Sequence, residues 1–228
     1  MIVTKPDHQN GRRLSAVEQV VNALFHGLIN NRFSPGQRLI ESDLTAEFGV
    51  SRGTLRDAFR QLAADGLVEL VPNRGAIVRR LSATDMTELF QIRTELEGLA
   101  ARLAASRMHD PEIRRTFEAA IEPIWSDEPR LHITRYIDEN TRFHEAILEA
   151  SGNRHLAIVS RQFQLPVIMG QVGGLLTPDT IDNSISEHRA LSEAIIAQDP
   201  EAAERIMKQH LARARDLTLT PTSTHTAI

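Results

Sequence analysis

Apolar positions recur mostly at helical spacing, and in the first third of the chain they outline a small domain. A helix that begins at Ser51 follows a shorter helix and a tight turn at Gly49. Its inward face carries an apolar stripe: Leu55, Ala58, Phe59 and Leu62. Gly66 ends this helix, and two short strands around a tight turn follow it: Leu67–Leu70, Pro72-Asn73-Arg74-Gly75 and Ile77–Arg79. The pattern predicts a helix-turn-helix followed by a β-hairpin, which together make a winged helix.

The outward face of the same helix is basic. Arg52, Arg56 and Arg60 recur every four residues, and the first of them lies beside Ser51 and Thr54. Arginine and hydroxyl groups in front of an apolar back are suited to a recognition helix in the DNA major groove. A row of arginines is also typical of a solvated helix face, and for the arginines alone both interpretations stay open. The hairpin favours the first, because an arginine at its tip would meet the DNA backbone or the minor groove.

From Leu81 onward the apolar period is helical almost throughout, which predicts six helices. Capping residues, prolines and glycines set their expected spans: Ser82 to about Arg107, Asp110 onward, about Arg130 to Ser151, Arg154 to about Gly170, Thr177 to about Asp199, and Pro200 to about Thr218. Short connections favour antiparallel neighbours. The predicted fold is therefore mainly α. A winged helix-turn-helix domain occupies residues 10–81, an all-α antiparallel bundle occupies residues 82–220, and a disordered tail occupies residues 221–228.

Three helices of the bundle carry polar residues inside an apolar stripe. The stripes are Ile133, Ile137, Asn140, His144 and Ile147; Ile181, Ile185, His188, Leu191 and Ile195; and Ala203, Met207, His210, Ala214 and Leu217. Any one of these histidines alone is better explained as a core residue bonded to a carbonyl. Burying three imidazoles without a shared partner would cost free energy for each of them. A divalent ion such as Zn²⁺ or Ni²⁺ would satisfy them together, and Asn140 shares the helical face of His144.

Composition narrows the functional classes. The chain has no cysteine, which excludes disulfides and thiolate metal sites and fits a reducing cytoplasm. No apolar run is long enough to span a membrane, and the N-terminus lacks an apolar signal core, so we expect a cytoplasmic protein with no membrane partner. The net charge of −4 is uneven. Residues 1–80 hold 11 Lys and Arg against 8 Asp and Glu, and residues 81–228 hold 15 against 22, so the basic charge accompanies the helix-turn-helix.

The first region resembles a known family. The stretch GVSRGTLRDAFRQLAADGLVELVPNRGAIV is similar to the DNA-binding domain of the GntR family of bacterial transcription regulators. The resemblance implies that Arg52 and Arg56 make the main operator contacts. It implies supporting contacts from these residues of the helix and the wing: Ser51, Thr54, Asn73, Arg74 and Gly75. Two positions depart from the family pattern, since Gly53-Thr54 stands where Thr-Pro is common and Ser42 follows Glu41 where some members have arginine.

The second region resembles the FCD effector domain of FadR-type GntR regulators, through NTRFHEAILEASGN, SEHRALSEAI and MKQHL. The resemblance implies a set of divalent metal ligands: Asn140, His144, His188 and His210. Asn140 replaces the commoner aspartate, so we expect weaker metal binding, but the ion would keep its full charge and attract an anionic effector more strongly. The resemblance also implies a small organic acid bound at the metal. Arg93 would pair with its carboxylate or, equally, form a salt bridge with Glu97, and Arg135, Tyr136 and Arg161 are weaker candidates for the pocket.

These observations together favour a ligand-responsive transcriptional regulator. It would bind a palindromic double-stranded operator as a homodimer, most often as a repressor released by its ligand. A metal-dependent enzyme is one alternative, because a histidine-bound ion with open positions activates water. Against it, Glu145 and Glu187 flank the histidines but are expected to point away from the stripes. A DNA binder with a purely structural metal is a further alternative.

Overall fold

The protein is mainly helical, with one small antiparallel sheet in its N-terminal part. The computed structural model describes residues 14–30, 32–72, 75–125, 133–163 and 176–219. The N-terminal elements are α1 (Ala16–Ile29), β1 (Arg38–Leu39), α2 (Glu41–Phe48), α3 (Arg52–Ala64), β2 (Val68–Val71) and β3 (Gly75–Val78). The predicted fold class is confirmed, and the helix-turn-helix and hairpin lie at the predicted places. Two elements, α1 and β1, precede the first predicted one.

Local signals in the sequence account for the boundaries of the helix-turn-helix. Gly49 ends α2 with a φ of 64°, a left-handed conformation that glycine adopts without a Cβ clash. Ser51 then caps α3, because its hydroxyl accepts a hydrogen bond from the backbone N–H of Thr54 at 3.1 Å. Leu55 and Phe59 of α3 are fully buried against α1 and the sheet. The apolar back of α3 is therefore the centre of the N-terminal core, and its basic face is left outside.

The sheet has the order β1-β3-β2, with both pairs antiparallel. Gly75 begins β3 with a φ of +84°, and a Cβ at this position would lie 2.7 Å from the carbonyl oxygen of Leu39 in β1. A side chain would therefore be opposed both by the backbone conformation and by the neighbouring strand. Gly75 allows the hairpin to close on β1, which places the wing beside α3.

The C-terminal part is a bundle of six α-helices among the described residues. These are α4 (Ala83–Arg107), α5 (Pro111–Ile121), α6 (Ile133–Ser151), α7 (Arg154–Gln162), α8 (Pro178–Ile196) and α9 (Pro200–Leu219), and a short 3-10 helix (Glu122–Trp125) follows α5. Helix α4 packs against α6, α8 and α9 and forms the centre of the bundle. The expected extension of α7 to Gly170 and the expected tail over residues 221–228 fall largely outside the described residues.

A small apolar cluster joins the two parts. Ile29 at the end of α1 is 1% exposed and packs with Tyr136 and Ile137 of α6. Phe25 of α1 lies at its edge, together with partly buried residues of the bundle. The first helix of the winged-helix part therefore rests on the helix that carries Asn140 and His144.

Candidate functional site

The three histidines of the apolar stripes meet in the interior of the bundle. His144 of α6, His188 of α8 and His210 of α9 are between 1% and 5% exposed, and one ring nitrogen of each lies within 4.8 Å of the others. The Nε2 atoms of His188 and His210 are 3.3 Å apart. Two nitrogens bound at 2.0–2.1 Å to a tetrahedral ion are separated by about 3.3 Å, so this pair already has the spacing of metal ligands.

Two of the imidazoles are oriented by carboxylates through their other ring nitrogen. Glu97 of α4 lies 2.5 Å from Nδ1 of His144, and Glu187 of α8 lies 2.7 Å from Nδ1 of His210. A carboxylate at Nδ1 favours the tautomer with its proton there and leaves the Nε2 lone pair free. The site is therefore arranged to present lone pairs to a common point, which is what a divalent ion requires.

The protonation of the site agrees with metal binding. Burial lowers the pKa of His188 well below its ordinary value, and the neighbouring His210 and His144 lower it further. Burial also lowers the pKa of His210, against the opposing effect of Glu187. Both imidazoles are therefore neutral near pH 7, and neutral imidazole is the form that binds Zn²⁺ or Ni²⁺. The donor set fits the implied metal.

Each carboxylate near the histidines is neutralised by an arginine. Arg93 lies 2.8 Å from Glu97, and Arg213 donates two hydrogen bonds to Glu187, at 2.5 and 2.6 Å. Burial would raise the pKa of Glu97, but Arg93 and His144 hold it well below its ordinary range. The pKa of Glu187 is likewise lowered to about 2, because hydrogen bonds from His210 and Arg213 outweigh burial. The surroundings of the histidines thus carry no net charge, and an ion bound there would keep its own.

A cavity of about 50 Å³ opens beside the histidines. It has room for roughly three or four water molecules, or for the polar end of a small organic molecule. Polar groups from four helices line it: Arg93, Tyr136, Asn140, His144, Thr180, Ser184, His210 and Arg213. Thr218 is a further polar residue of the wall, and the rest of the wall is apolar and includes Phe90 and Leu217. Among the described residues no hydrogen-bond partner is found for the Asn140 amide, which is 5% exposed and faces this cavity.

Arg93 is both a structural ion-pair partner and a wall of the cavity. Its Nε donates to Glu97 at 2.9 Å. Its Nη2 is close to the same carboxylate, at 2.8 Å, but lacks hydrogen-bond geometry and has no acceptor among the described residues. Arg93 lines the cavity and is 3% exposed, so it holds a buried N–H group without an acceptor among the described residues. The two roles weighed for Arg93 are compatible.

The other arginines considered for the pocket lie elsewhere. Arg135 forms an ion pair with Glu139 at 2.9 Å, and Arg161 forms one with Glu145 at 2.8 Å. The described residues that line the cavity include neither arginine. Tyr136 does line it, and its hydroxyl donates to Ser184 at 2.7 Å.

Sequence reasoning missed three charged residues of the site. Glu187 was expected to point away, because it is adjacent to His188 and so occupies another face of α8. It meets His210 because α9 packs on that face. Arg213 had a usable signal, since it follows His210 by three residues and shares its helical face. Glu97 was considered only as a partner of Arg93, and its contact with His144 depends on the packing of α4 on α6.

The second candidate site is the outer face of α3. Arg52 is exposed at the start of the helix, beside the Ser51 and Thr54 hydroxyls, which lie 3.0 Å apart. Arg56 is 56% exposed but is held by Glu41 of α2, to which its Nε and Nη2 donate at 3.0 to 3.2 Å. Arg60 is paired with Asp57 on its own helix. The structure therefore places the predicted contacts of α3 on one accessible surface.

The wing lies next to that surface. A groove of about 270 Å³ separates the outer face of α3 from the hairpin, and Arg56 and Gly75 are among the residues that line it. Gly75 contributes backbone conformation, as described above, and has no side chain to offer to DNA. The wing residues Asn73 and Arg74 lie outside the described residues.

A winged helix joined to a helical bundle with a buried polar cavity defines a DNA-binding regulator with a ligand-binding domain. Comparison with known families agrees with this class. The model of the gntR family of bacterial regulatory proteins matches residues 16–78, and the model of the FCD domain matches residues 88–213. The chain belongs to the GntR family and carries an FCD domain, as the resemblance implied. It is a DNA-binding transcriptional regulator.

Relatives along most of the chain support the assignment. The probable D-xylose utilization operon transcriptional repressor of Paenarthrobacter nicotinovorans is 31% identical over 203 residues, covering 88% of this chain and 87% of that protein. The galactonate operon transcriptional repressor of Escherichia coli (strain K12) is 28% identical, covering 84% and 92%. A solved GntR regulator from Rhodococcus sp. RHA1 matches with a TM-score of 0.65 and 25% identity, over 89% of this chain and 97% of that one. None of the helices within the described ranges has the length and apolarity to cross a membrane.

Proposed function

We propose that this regulator is a cytoplasmic homodimeric repressor that a small carboxylic acid, bound at a metal ion in the helical domain, releases from its operator. One observation carries the proposal. Three buried imidazoles, two of them with a lowered pKa, lie together beside a cavity that His144, His210 and Arg93 line, and Nη2 of Arg93 has no hydrogen-bond acceptor among the described residues. A metal ion would bind the imidazole nitrogens, and a carboxylate bound to that ion would accept a hydrogen bond from Arg93.

The proposed ligands of the ion are His144, His188, His210 and Asn140. Asn140 carries no charge, and the lowered pKa values of His188 and His210 keep these imidazoles neutral near pH 7. The charges of Glu97 and Glu187 are already balanced by arginines. Zn²⁺ or Ni²⁺ held there would attract and polarise an anionic ligand, which is the chemistry that the ion would supply. A carboxylate would then accept a charge-assisted hydrogen bond from Nη2 of Arg93. Hydroxyl groups of the same acid would meet Tyr136, Thr180 or Ser184.

The relatives indicate a chemical class for the acid. One is named for the galactonate operon, and galactonate is a hydroxy acid with one carboxylate and several hydroxyls. The cavity offers the matching mixture of one unsatisfied cationic donor and several hydroxyl groups. We therefore propose a sugar acid or a similar hydroxy acid as the effector.

Two exposed residues of α4, Ile92 and Leu99, support the proposed homodimer. They belong to a run of residues with alternating spacings of three and four, which is the repeat of a helix that packs against another helix: Leu89, Ile92, Leu96, Leu99 and Leu103. Leu89, Leu96 and Leu103 are partly buried and pack at the edge of the bundle core. Ile92 and Leu99 are 43% and 41% exposed although the opposite face of α4 is in the core. With 25 residues α4 is about 37 Å long, enough for an isologous contact between two copies.

Two Glu substitutions test this interface. Ile92→Glu or Leu99→Glu should convert the dimer to a monomer in sedimentation velocity. Leu14→Glu is the matched control, because Leu14 is 51% exposed in the N-terminal part. A wild-type protein that sediments as a monomer at operator-saturating concentration would contradict the proposed homodimer.

The interdomain cluster supports a coupling between cavity and DNA. Tyr136 lines the cavity on one side and packs against Ile29 of α1 on the other. A ligand that repositions Tyr136 or α6 would change the contact between the bundle and α1 of the winged helix. If the ligand binds more tightly to one of two arrangements of the winged-helix domains, here called the heads, it changes the affinity of the protein for its operator.

An enzymatic role has less support. Within the described ranges, Glu97 and Glu187 are the carboxylates that contact the histidines, and both are bound at Nδ1 and paired with arginine. Neither is free to take a proton from water at the proposed ion. The pairing of these carboxylates therefore favours a site that binds a ligand over one that catalyses its reaction.

The effector proposal is tested with a duplex selected by the wild-type protein from a random pool. Fluorescence anisotropy would follow operator binding with zinc and a panel of sugar acids, each paired with its neutral sugar alcohol. We expect an acid, and not its alcohol, to lower operator affinity, and we expect chelation of zinc to abolish the effect. Arg93→Lys keeps the positive charge beside Glu97 but removes the guanidinium donors, and it should weaken the response while leaving acid-free operator binding intact. Equal effects of acids and alcohols would contradict the proposed carboxylate contact.

A further inference from the structure

The recognition helix carries one arginine that is bound by a carboxylate from the preceding helix. Glu41 lies in the first turn of α2 and is 15 positions before Arg56 in the sequence. Its side chain is 21% exposed, whereas that of Arg56 is 56% exposed. Both side chains line the groove between α3 and the hairpin. Glu41 therefore reaches across the helix-turn-helix and holds an arginine that faces outward.

The geometry of this pair leaves a defined part of Arg56 free. A guanidinium has five N–H donors arranged on two edges, one formed by Nε and Nη2 and the other formed by Nη1 and Nη2. Glu41 accepts from Nε at 3.0 and 3.2 Å and from Nη2 at 3.1 Å, so it occupies the first edge. Among the described residues no acceptor is found for the second edge. This is a two-pronged donor, and it matches the O6 and N7 acceptors of guanine in the major groove.

We infer that Glu41 is a positioning residue for operator recognition, which fixes the guanidinium of Arg56 so that its outer edge reads a base. The inference rests on the proposed role of Arg56 in operator binding. Without Glu41, Arg56 would remain attracted to DNA but would swing freely and contact phosphates as readily as bases. Glu41 therefore raises the ratio of specific to non-specific DNA affinity in two ways, since it increases the specific affinity and decreases the non-specific affinity. A negative charge near DNA weakens non-specific binding, whereas an ordered Arg56 strengthens specific binding.

A second ion pair in the same domain provides the matched control. Glu47 is also on α2 and pairs with Arg32 at 2.5 Å, with side chains 39% and 51% exposed. Glu47→Gln removes the same charge from the same helix, but the ion-pair partner that it releases is Arg32 and not an arginine of α3. Both Glu41→Gln and Glu47→Gln should raise non-specific affinity slightly. Only Glu41→Gln should disturb Arg56.

The experiment measures the affinity of full-length protein for two duplexes, over a range of salt concentrations. One duplex is selected by the wild-type protein from a random pool, and the other is an unrelated duplex of the same length. Glu41→Gln should reduce the specific to non-specific ratio by about three- to tenfold, the effect expected from freeing one long side chain. Glu47→Gln should leave the ratio within twofold. In the double variant Glu41→Gln with Arg56→Ala, the ratio should equal that of Arg56→Ala alone.

The outcomes separate the inference from the proposal beneath it. If Arg56→Ala leaves the ratio unchanged, Arg56 does not read the operator and both ideas are overturned. If Arg56→Ala lowers the ratio but Glu41→Gln and Glu47→Gln behave alike, the positioning role alone is overturned. A repeat of the selection with Glu41→Gln should yield a relaxed preference at the base pair that Arg56→Ala also affects. Relaxation at unrelated positions, or a lowered melting temperature for Glu41→Gln alone, would assign Glu41 to the fold instead.

Discussion

Replacing Glu97 tests whether the buried histidines form a metal centre or merely lie close together. Glu97→Gln keeps the size of the side chain and removes its charge. The carboxylate now accepts from both Arg93 and His144, and all three residues are at most 4% exposed. The substitution leaves Arg93 as a buried cation without its counter-charge. It also offers His144 an amide that has both a donor and an acceptor.

Two magnitudes follow from this geometry. Breaking a buried ion pair costs about 3–5 kcal/mol, and the retained amide oxygen places the expected loss near 3 kcal/mol. For a chain of this size that is a fall in melting temperature of about 6–12 °C. Without the carboxylate at Nδ1, the tautomer of His144 is no longer fixed. Such changes in the partners of a ligand weaken metal binding by about 10- to 100-fold.

Thermal unfolding of the metal-free protein measures the first effect, and competition with a chromophoric zinc chelator measures the second. Glu118→Gln is the control, because the pair of Arg114 and Glu118 has the same spacing on α5 but is 42% and 44% exposed. It should cost less than about 1 kcal/mol and leave zinc affinity unchanged. If Glu97→Gln lowers stability without weakening zinc binding, the reasoning about the tautomer is refuted. If wild-type protein does not bind zinc, the histidines are a hydrogen-bonded core.

Four further predictions address the remaining elements. Arg52→Ala should weaken binding to the selected operator by about 1–3 kcal/mol for each lost base contact, without dissociating the dimer, as mobility shift and sedimentation would measure. His188→Ala should abolish the zinc-dependent rise in melting temperature, which for wild type corresponds to about 2.7 kcal/mol at a free zinc concentration of 100 times Kd. Gly75→Ala should destabilise the protein by about 1–2 kcal/mol or more, because its φ is +84° and the added Cβ meets β1. Gly53→Ala should instead stabilise α3 by up to about 1 kcal/mol, since its Cβ would make an ordinary 3.6 Å contact. Equal unfolding curves for the two glycine variants would contradict the account of the wing.

Periodic patterns in the sequence predicted the features that depend on a single helix, such as which of its faces points inward. The apolar stripe of α3 and the three histidine stripes lie on single helices, so their inward faces could be read directly from the spacing. Strand β1 has only two residues and exists because β3 pairs with it, so it has no pattern of its own. The contacts of Glu187 depend in the same way on which helix packs beside α8. Charge relations across helices thus required the tertiary structure, whereas the candidate ligands did not.

The contact between the winged helix and the bundle sets a scale for regulation. In the part of the chain that the structure describes, the cluster at this contact contains three buried residues: Ile29, Tyr136 and Ile137. Burial of one such apolar side chain is worth about 1.5–3 kcal/mol. The coupling free energy between an effector site and a distant site is commonly about 1–3 kcal/mol, which is of the same order. An effector that exposes one of these side chains would therefore change the free energy of this contact by as much as a typical coupling free energy. In the proposed homodimer this change would alter how the two winged helices are placed on the DNA. Two heads that no longer match the spacing of their half-sites would leave the DNA together.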